Sequence, residues 1–432
     1  MATSFHIMSK PTGPICNLDC KYCFYLEKEG LYGTPNSWAM SDAVLESYIR
    51  QYIEAQSDEV VNFAWQGGEP TLLGVEFFRK AFALQQKYAG GKTIQNALQT
   101  NGILLDDEWC EFLAQQQVLV GISIDGPRAL HDAYRVDKGG HGSFARVVRG
   151  IGYLKKHGVE FNTLTTVHSG NESHPVEVYR FLKETGSRYM QFIPIVERKA
   201  EQPAADGLVL IQPSFEGSAE VTEWSVDAQQ YGRFLCAIYD EWVSRDVGKV
   251  FVQHFDVALE SWLGMDASLC IFRETCGAAM ALEHNGDLYS CDHFVYPEHR
   301  LGNVLTESMQ AMAASGQQRQ FGEHKASSLP KMCRECPVKF ACHGECPKHR
   351  FLRTPDGEYG LNYLCAGYKM FFHHMDETMR FMAEELKAGR APANVMRYVA
   401  DKQRKAAGKA RAGRNDPCEC GSGRKRKHCC GA

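Results

Sequence analysis

Residues 5–25 read FHIMSKPTGPICNLDCKYCFY: a short β-rich run, then Cys16, Cys20 and Cys23 in a CxxxCxxC loop. The fold is decided by what this stretch begins. To about residue 195, short β-rich runs alternate with stretches of apolar residues at helical spacing, the pattern of βα units around a parallel sheet. The strand-like runs are 5–8, 60–65, 94–98, 118–124, 160–167 and 189–193. Between them Ser41 is placed to cap a helix whose Val44, Leu45, Tyr48, Ile49 and Tyr52 share one face, and similar runs follow at 75–89, 144–157 and 175–185. Six such units predict an α/β fold built as a partial (β/α)6 barrel.

In such barrels chemistry gathers where strands end and loops begin. The polar motifs fall there: the cysteine loop after the first run, GGEP (67–70) after the second, QTNG (99–102) after the third, and SIDGP (123–127) at the end of the fourth. Four motifs on one rim predict one site. Residues 197–222, polar and rich in Ala, Gly and Pro, read as an insertion, either a substrate wall or a linker.

The chain has 432 residues, 44% of them hydrophobic, enough for a full core and for two or three domains. A formal charge of -4 sets up no global field for nucleic acid or an anionic membrane. Neither partner is expected. No stretch approaches the roughly eighteen apolar residues that read as a membrane span, and residues 1–10 lack the apolar core of a secretory signal, so a cytoplasmic location is expected.

Seventeen cysteines in a reducing compartment point to metal ligands before disulfides. Three lie in the first loop. Eight follow at Cys270, Cys276, Cys291, Cys333, Cys336, Cys342, Cys346 and Cys365. Cys418, Cys420, Cys429 and Cys430 close the chain, and only Cys110 and Cys236 stand apart, as core residues. Three thiolates suit a four-iron cubane with one iron open to a ligand, although the same spacing also fits three-quarters of a zinc site. Eight thiolates suit two fully ligated cubanes or two four-cysteine zinc sites. Spacing alone does not separate iron from zinc.

The CxxxCxxC loop, with the aromatic Tyr22 before its last cysteine and GGEP one strand later, resembles the radical S-adenosylmethionine superfamily. The pattern CxxCxxxxxCxxxC from Cys333 to Cys346, followed by Cys365, is similar to the SPASM extension of its peptide-modifying members. Within these, the chain most resembles anaerobic sulfatase-maturating enzymes, on the strength of Asp292 directly after Cys291, Gln66 before the glycine pair, and Tyr25 two residues after Cys23. The resemblance spans roughly residues 5–375.

The resemblance implies a radical domain over 1–225 and an auxiliary-cluster domain over 226–385, and the shift to Ala, Lys, Arg and Gly after about 386 predicts a basic linker over 386–412 that ends in a small module, the zinc module of 413–432. The resemblance also implies S-adenosylmethionine and three 4Fe-4S clusters: one at Cys16, Cys20 and Cys23, one at Cys270, Cys276, Cys291 and Cys346, and one at Cys333, Cys336, Cys342 and Cys365. Gly67, Gly68 and Glu69 would receive the methionine ammonium, Asn101 and Ser123 would touch the cofactor, Asp125 would support the ribose, and Arg146 would meet the carboxylate. For Asn101, Ser123 and Asp125 the plain alternative is turn chemistry. Asp292 would be the general base, with shaping of a turn as its alternative, and Tyr25 and Gln66 would face the substrate. That substrate would be an unfolded or pre-export sulfatase polypeptide, whose cysteine or serine becomes formylglycine through hydrogen abstraction by a 5'-deoxyadenosyl radical. An electron donor such as flavodoxin or ferredoxin would be required. Crosslinking of a ribosomal peptide is the alternative reaction, and a zinc-rich binding protein the alternative outside enzymes.

The last stretch, GRNDPCECGSGRKRKHCC (413–430), resembles the SEC-C zinc module, with Cys418, Cys420, Cys429 and Cys430 as ligands and His428 as the alternative fourth. Its basic residues suit an acidic protein surface or RNA, or else a solvated tether.

Overall fold

Residues 60–65 (VVNFAW) bury Val61, Phe63 and Trp65 on one face, the period-2 pattern of a strand packed against helices. In the computed structural model, which describes residues 5–32, 37–200, 210–211, 215, 219–410, 418, 420 and 422–430, this strand is the second of six. They are β1 (His6–Lys10), β2 (Val60–Trp65), β3 (Thr93–Thr100), β4 (Leu119–Ser123), β5 (Phe161–Val167) and β6 (Tyr189–Pro194), parallel and adjacent in chain order. The crossover helices form as their sequences predict. Ser41 accepts a hydrogen bond from the Val44 amide at 3.3 Å, opening helix Asp42–Ala55, whose Leu45, Tyr48, Ile49 and Tyr52 are buried. Tyr48 and Phe78 meet the Trp65 ring edge-on at 5.9 and 5.7 Å. Cys110, on helix Asp107–Gln115, is fully buried.

The sheet does not stop at β6. Phe251–Val252 extends it in parallel beyond β6, and at the other edge Ala279–Glu283 pairs in parallel with β1, followed by antiparallel Asp287–Tyr289 and Arg300–Asn303. Ten strands thus form one sheet, and the expected boundary at 225/226 does not divide it. The cysteine-rich half is joined to the first half through backbone hydrogen bonds. It is also joined through helices: Ala228–Arg245 packs on Cys365–Lys387 so closely that a Cβ on Gly367 would lie 2.0 Å from the Ala228 carbonyl oxygen.

Residues 386–410 are not an extended tether. Helix Val395–Ala410 packs against Ala228–Arg245, with Val395 buried, the Tyr398 ring stacked on Phe381 at 4.5 Å and its hydroxyl donating to Glu377 at 2.6 Å. The Ala, Lys and Arg content read as linker composition is also strong helix-forming composition. Residues 411–417, which include the expected linker end and module start, lie outside the described residues. Of the 197–222 insertion, a hairpin of Arg198–Ala200 with Ala219–Val221 is described. Among the described residues no helix is long and apolar enough to cross a membrane.

Candidate functional site

The strand ends of β1 to β6 open on a cavity of about 200 Å³. Cys16, Cys20 and Cys23 line it, opposite Gly67, Gly68, Asn101 and Ser123. Backbone bonds clamp the two loops together: the Gly68 amide donates to the Gly13 carbonyl and the Glu69 amide to the Ile15 carbonyl, both at 2.8 Å. A Cβ on Gly68 would stand 2.0 Å from the Ile15 carbonyl oxygen, so only glycine permits this approach. Asn101 bridges back to the cysteine loop, donating to Asn17 Oδ1 at 2.8 Å. The Ser123 hydroxyl accepts from Gln99 at 3.1 Å.

Three expected contacts are placed differently. Glu69 is fully buried behind the cavity wall, where it accepts from the Thr100 hydroxyl and the Asn101 amide, both at 2.7 Å, and from Thr71. It ties the GGEP loop to the next loop. The cavity-lining residues here are Gly67 and Gly68. Asp125 is likewise fully buried, accepting from the Tyr22 hydroxyl at 2.5 Å, Arg135 Nε at 2.8 Å and the Thr166 amide at 3.0 Å. Burial opposes its ionisation, but Arg135, then His168 and His131, outweigh it and hold the carboxyl below its ordinary range. It anchors Tyr22 and Arg135 and does not border the cavity. Arg146 is more than a third exposed and paired with Asp137 at 2.8 Å; the arginine on the cavity wall is Arg135.

Asp292 sits where the first cavity meets a second, of about 320 Å³, with Gln66, Phe24 and His293 also common to both. Its Oδ2 accepts from the Tyr25 hydroxyl at 2.6 Å, and its Oδ1 is 2.5 Å from Lys10 Nζ. Lys10 also pairs with Glu283 at 3.1 Å, because the two residues are register partners on β1 and Ala279–Glu283. Burial alone would raise the Asp292 carboxyl; Lys10, then Lys28, hold it well below the carboxylate range. Both remaining lone pairs of this ionised group stay able to accept a proton. Lys10 escaped the sequence reading, and its one signal there is a lysine ending the strand that leads into the cysteine loop.

The second cavity is lined by Cys270, Cys276, Cys291 and Cys346, and a third, of about 170 Å³, by Cys333, Cys336, Cys342 and Cys365. The two interleaved quartets of the sequence therefore come together around separate spaces. Among the described residues no cysteine is joined in a disulfide. Burial pushes Cys16 and Cys291 up to about 12, so these sulfurs ionise by exchanging their protons for a metal. Three-plus-four-plus-four thiols facing polyatomic-sized spaces fit iron-sulfur clusters as a donor set. In the tail, the sulfurs of Cys418, Cys420, Cys429 and Cys430 all lie within 4.8 Å of one another, and His428 is outside the group. A tetrahedral zinc with bonds of about 2.3 Å sets its sulfurs about 3.8 Å apart.

Comparison with known proteins agrees with this layout. Residues 11–182 match the radical SAM superfamily and residues 270–337 the SPASM iron-sulfur cluster-binding domain. A serine-type anaerobic sulfatase-maturating enzyme of Bacteroides thetaiotaomicron is 48% identical over 400 residues, covering 93% of this chain and 96% of that one. A cysteine-type anaerobic sulfatase-maturating enzyme of Clostridium perfringens is 32% identical over 384 residues, covering 88% and 99%. The structure of native anSMEcpe with bound AdoMet and Cp18Cys peptide aligns with a TM-score of 0.76 at 32% identity, again covering 88% of this chain and 99% of that one. The chain belongs to the anaerobic sulfatase-maturating enzymes of the radical S-adenosylmethionine superfamily.

Proposed function

We propose that this chain oxidises an active-site cysteine or serine of a sulfatase polypeptide to Cα-formylglycine, with Asp292 as the base. The observation that carries the reading is the Asp292 carboxylate, paired with Lys10 on the wall between the cofactor cavity and the first auxiliary cavity. When bound, the clusters and S-adenosylmethionine supply a 5'-deoxyadenosyl radical and an acceptor for one electron. The protein does the rest. Gly67 and Gly68 bring backbone acceptors against the methionine end, Asn101 and Ser123 line the same wall, and Arg135 offers a cation for the carboxylate. Gln66 and Tyr25 face the substrate side, and the Tyr25 hydroxyl orients Asp292. Once the substrate Cβ has lost a hydrogen, Asp292 takes the proton of the adjoining thiol or hydroxyl, which turns the carbon radical into a strong reductant.

The tail tetrad holds a structural zinc in this reading, supported by its four converging sulfurs. An external one-electron donor such as flavodoxin or ferredoxin starts each turnover, and the protein works in the cytoplasm on sulfatase chains not yet folded or exported. Seventeen cysteines outside disulfides suit that compartment. The test is anaerobic incubation of reconstituted enzyme and its Asp292→Asn variant with S-adenosylmethionine and paired cysteine- and serine-type sulfatase peptides, followed by mass spectrometry. Formylglycine on at least one peptide, absent from the variant although 5'-deoxyadenosine still forms, is the expected result. No formylglycine from the wild-type chain on either peptide refutes the reading, and equal yield from the variant refutes the base.

A further inference from the structure

Two cations lie deep in the cysteine-rich half with no carboxylate ion pair among the described residues. Lys325, on helix Gly316–Ser327, is fully buried and borders the cavity of Cys270, Cys276, Cys291 and Cys346. Its Nζ donates to three backbone carbonyls, those of Cys270 at 2.7 Å, Ile271 at 2.8 Å and Arg273 at 2.5 Å. Behind it Arg350, also buried, donates to the carbonyls of Lys325 at 2.5 Å, His343 at 2.8 Å, Gly344 at 2.9 Å and Glu345 at 3.0 Å, with a longer contact to Ser328 Oγ at 3.5 Å. Carbonyl dipoles satisfy the donors but do not neutralise the charge. A buried cation without a counter-ion is costly.

The thiolates of the adjoining quartet resolve this. A cubane ligated by four thiolates carries net negative charge and becomes more negative on reduction, so a fixed buried cation favours the reduced form. Lys325 acts on Cys270, Cys276 and Cys346, whereas Arg350 reaches beyond them to Cys333 of the other quartet. That quartet's cavity is bordered by Lys339, half-buried, and Lys369, exposed, where water screens them. The nearest acid to Arg350 is Glu345, whose carboxylate is bonded to His349 at 2.9 Å and Asn362 at 2.6 Å; it borders both cavities and does not distinguish them.

We propose that Lys325, backed by Arg350, is the built-in counter-charge of the cluster held by Cys270, Cys276, Cys291 and Cys346, and makes that site the easier of the two auxiliary sites to reduce. Both are positioning residues, acting on the reaction through the cluster's field. The inference rests on the proposed ligation of that quartet. The balance is one electron and one proton: the substrate radical gives its thiol or hydroxyl proton to Asp292, loses one electron as the C=S or C=O bond forms, and the nearer cluster gains that electron.

The experiment is a redox titration followed by electron paramagnetic resonance on the full-length, anaerobically reconstituted enzyme. Wild type is compared with Lys325→Gln, which keeps a donor for the carbonyls, and with Lys325→Arg, which keeps the charge. The signal of the first auxiliary site is assigned by its loss in Cys276→Ala. Lys325→Gln should weaken reduction at that site at least tenfold, equivalent to 59 mV for one electron, with the other two signals unmoved and Lys325→Arg within threefold of wild type. An unmoved potential overturns the proposal; so does an equal fall in all three signals, or a fall in Lys325→Arg as large as in Lys325→Gln. Should Lys325→Gln not load that site, Arg350→Gln carries the test, where a shift at that site larger than at the Cys333 site supports the proposal, and no shift or an equal one at both overturns it. The readout needs no sulfatase, so a missing formylglycine product sinks the reaction assignment without touching this result.

Discussion

Replacing Lys10 by methionine should separate cofactor cleavage from substrate oxidation. The lysine ammonium is fully buried between Asp292 at 2.5 Å and Glu283 at 3.1 Å. Coulomb's law at an effective dielectric of about 20 gives about 7 kcal/mol for the shorter pair. Desolvation of the charges offsets part of this, and removing one partner of a buried pair costs about 3–5 kcal/mol. Without Lys10, two buried carboxylates share a pocket where the nearby Lys28 bonds the Asp292 backbone carbonyl at 3.4 Å and not its carboxylate, and the cheapest relief is for one of them to keep its proton. A protonated Asp292 cannot act as a base. At about 1.4 kcal/mol per factor of ten, the loss corresponds to formylglycine formation slower by about 150- to 4000-fold. The cysteine loop and the GGEP clamp do not depend on the lysine charge, so 5'-deoxyadenosine should form within about threefold of the wild-type rate. Both products are measured in one anaerobic time course by mass spectrometry. The reasoning fails if formylglycine formation stays within about threefold of wild type, and equally if both products fall together.

Other consequences are open to simpler measurements. Gly68→Ala drives a Cβ to 2.0 Å from the Ile15 carbonyl, so cofactor cleavage should drop at least tenfold while the auxiliary-site spectra persist; retention of cleavage within about twofold contradicts the clamp. Tyr25→Phe removes a 2.6 Å bond to a charged acceptor, worth about 1.5–3 kcal/mol, and a 10- to 100-fold slower oxidation is expected with cleavage unchanged. Burial, then Glu260, raises the Asp256 carboxyl to about 7, so the folded chain holds a proton there that the unfolded chain releases near pH 4. Stability therefore falls as pH rises through that window, and Asp256→Asn should be more stable at pH 8, by up to about 4 kcal/mol, with little difference at pH 4; an equal thermal midpoint at pH 8 is the contrary result. The double variant Cys420→Ser with Cys429→Ser should lose one equivalent of zinc and no iron, which elemental analysis reads directly.

The strands and their rim motifs were legible because their signals are local. Alternation in 60–65, the cap at Ser41 and the cysteine spacings each lie within one element and its flanks. The quartets were legible only with help from family resemblance, since spacing assigns Cys346 to neither group; the fold then draws Cys346 to Cys270 and leaves Cys342 with Cys365. What was not legible depends on register between distant strands or on a turn's direction. Lys10 and Glu283 become neighbours through parallel pairing across more than 270 residues. Arg135 and Arg146 look alike as cations downstream of SIDGP, yet the short helix Arg128–Asp132 returns only the first to the strand ends. The family resemblance makes Asp125 a ribose contact, yet its polarity here serves the interior, where it holds Tyr22 and Arg135. The basic stretch near 400 was read by composition, and the aromatic contact that docks it, Tyr398 on Phe381, has no marker in a single chain.

The continuous sheet has a bearing on biogenesis. β1 is flanked by β2 on one side and by Ala279–Glu283 on the other, so during synthesis it remains an open edge until the ribosome has passed residue 283. An open parallel edge invites wrong partners. The cysteine loop hangs from that edge, and its floor, Lys10, waits for Glu283 and Asp292 before its charge is matched. The partner strand of that edge and the acids that match Lys10 are thus complete only once about two-thirds of the chain has been made.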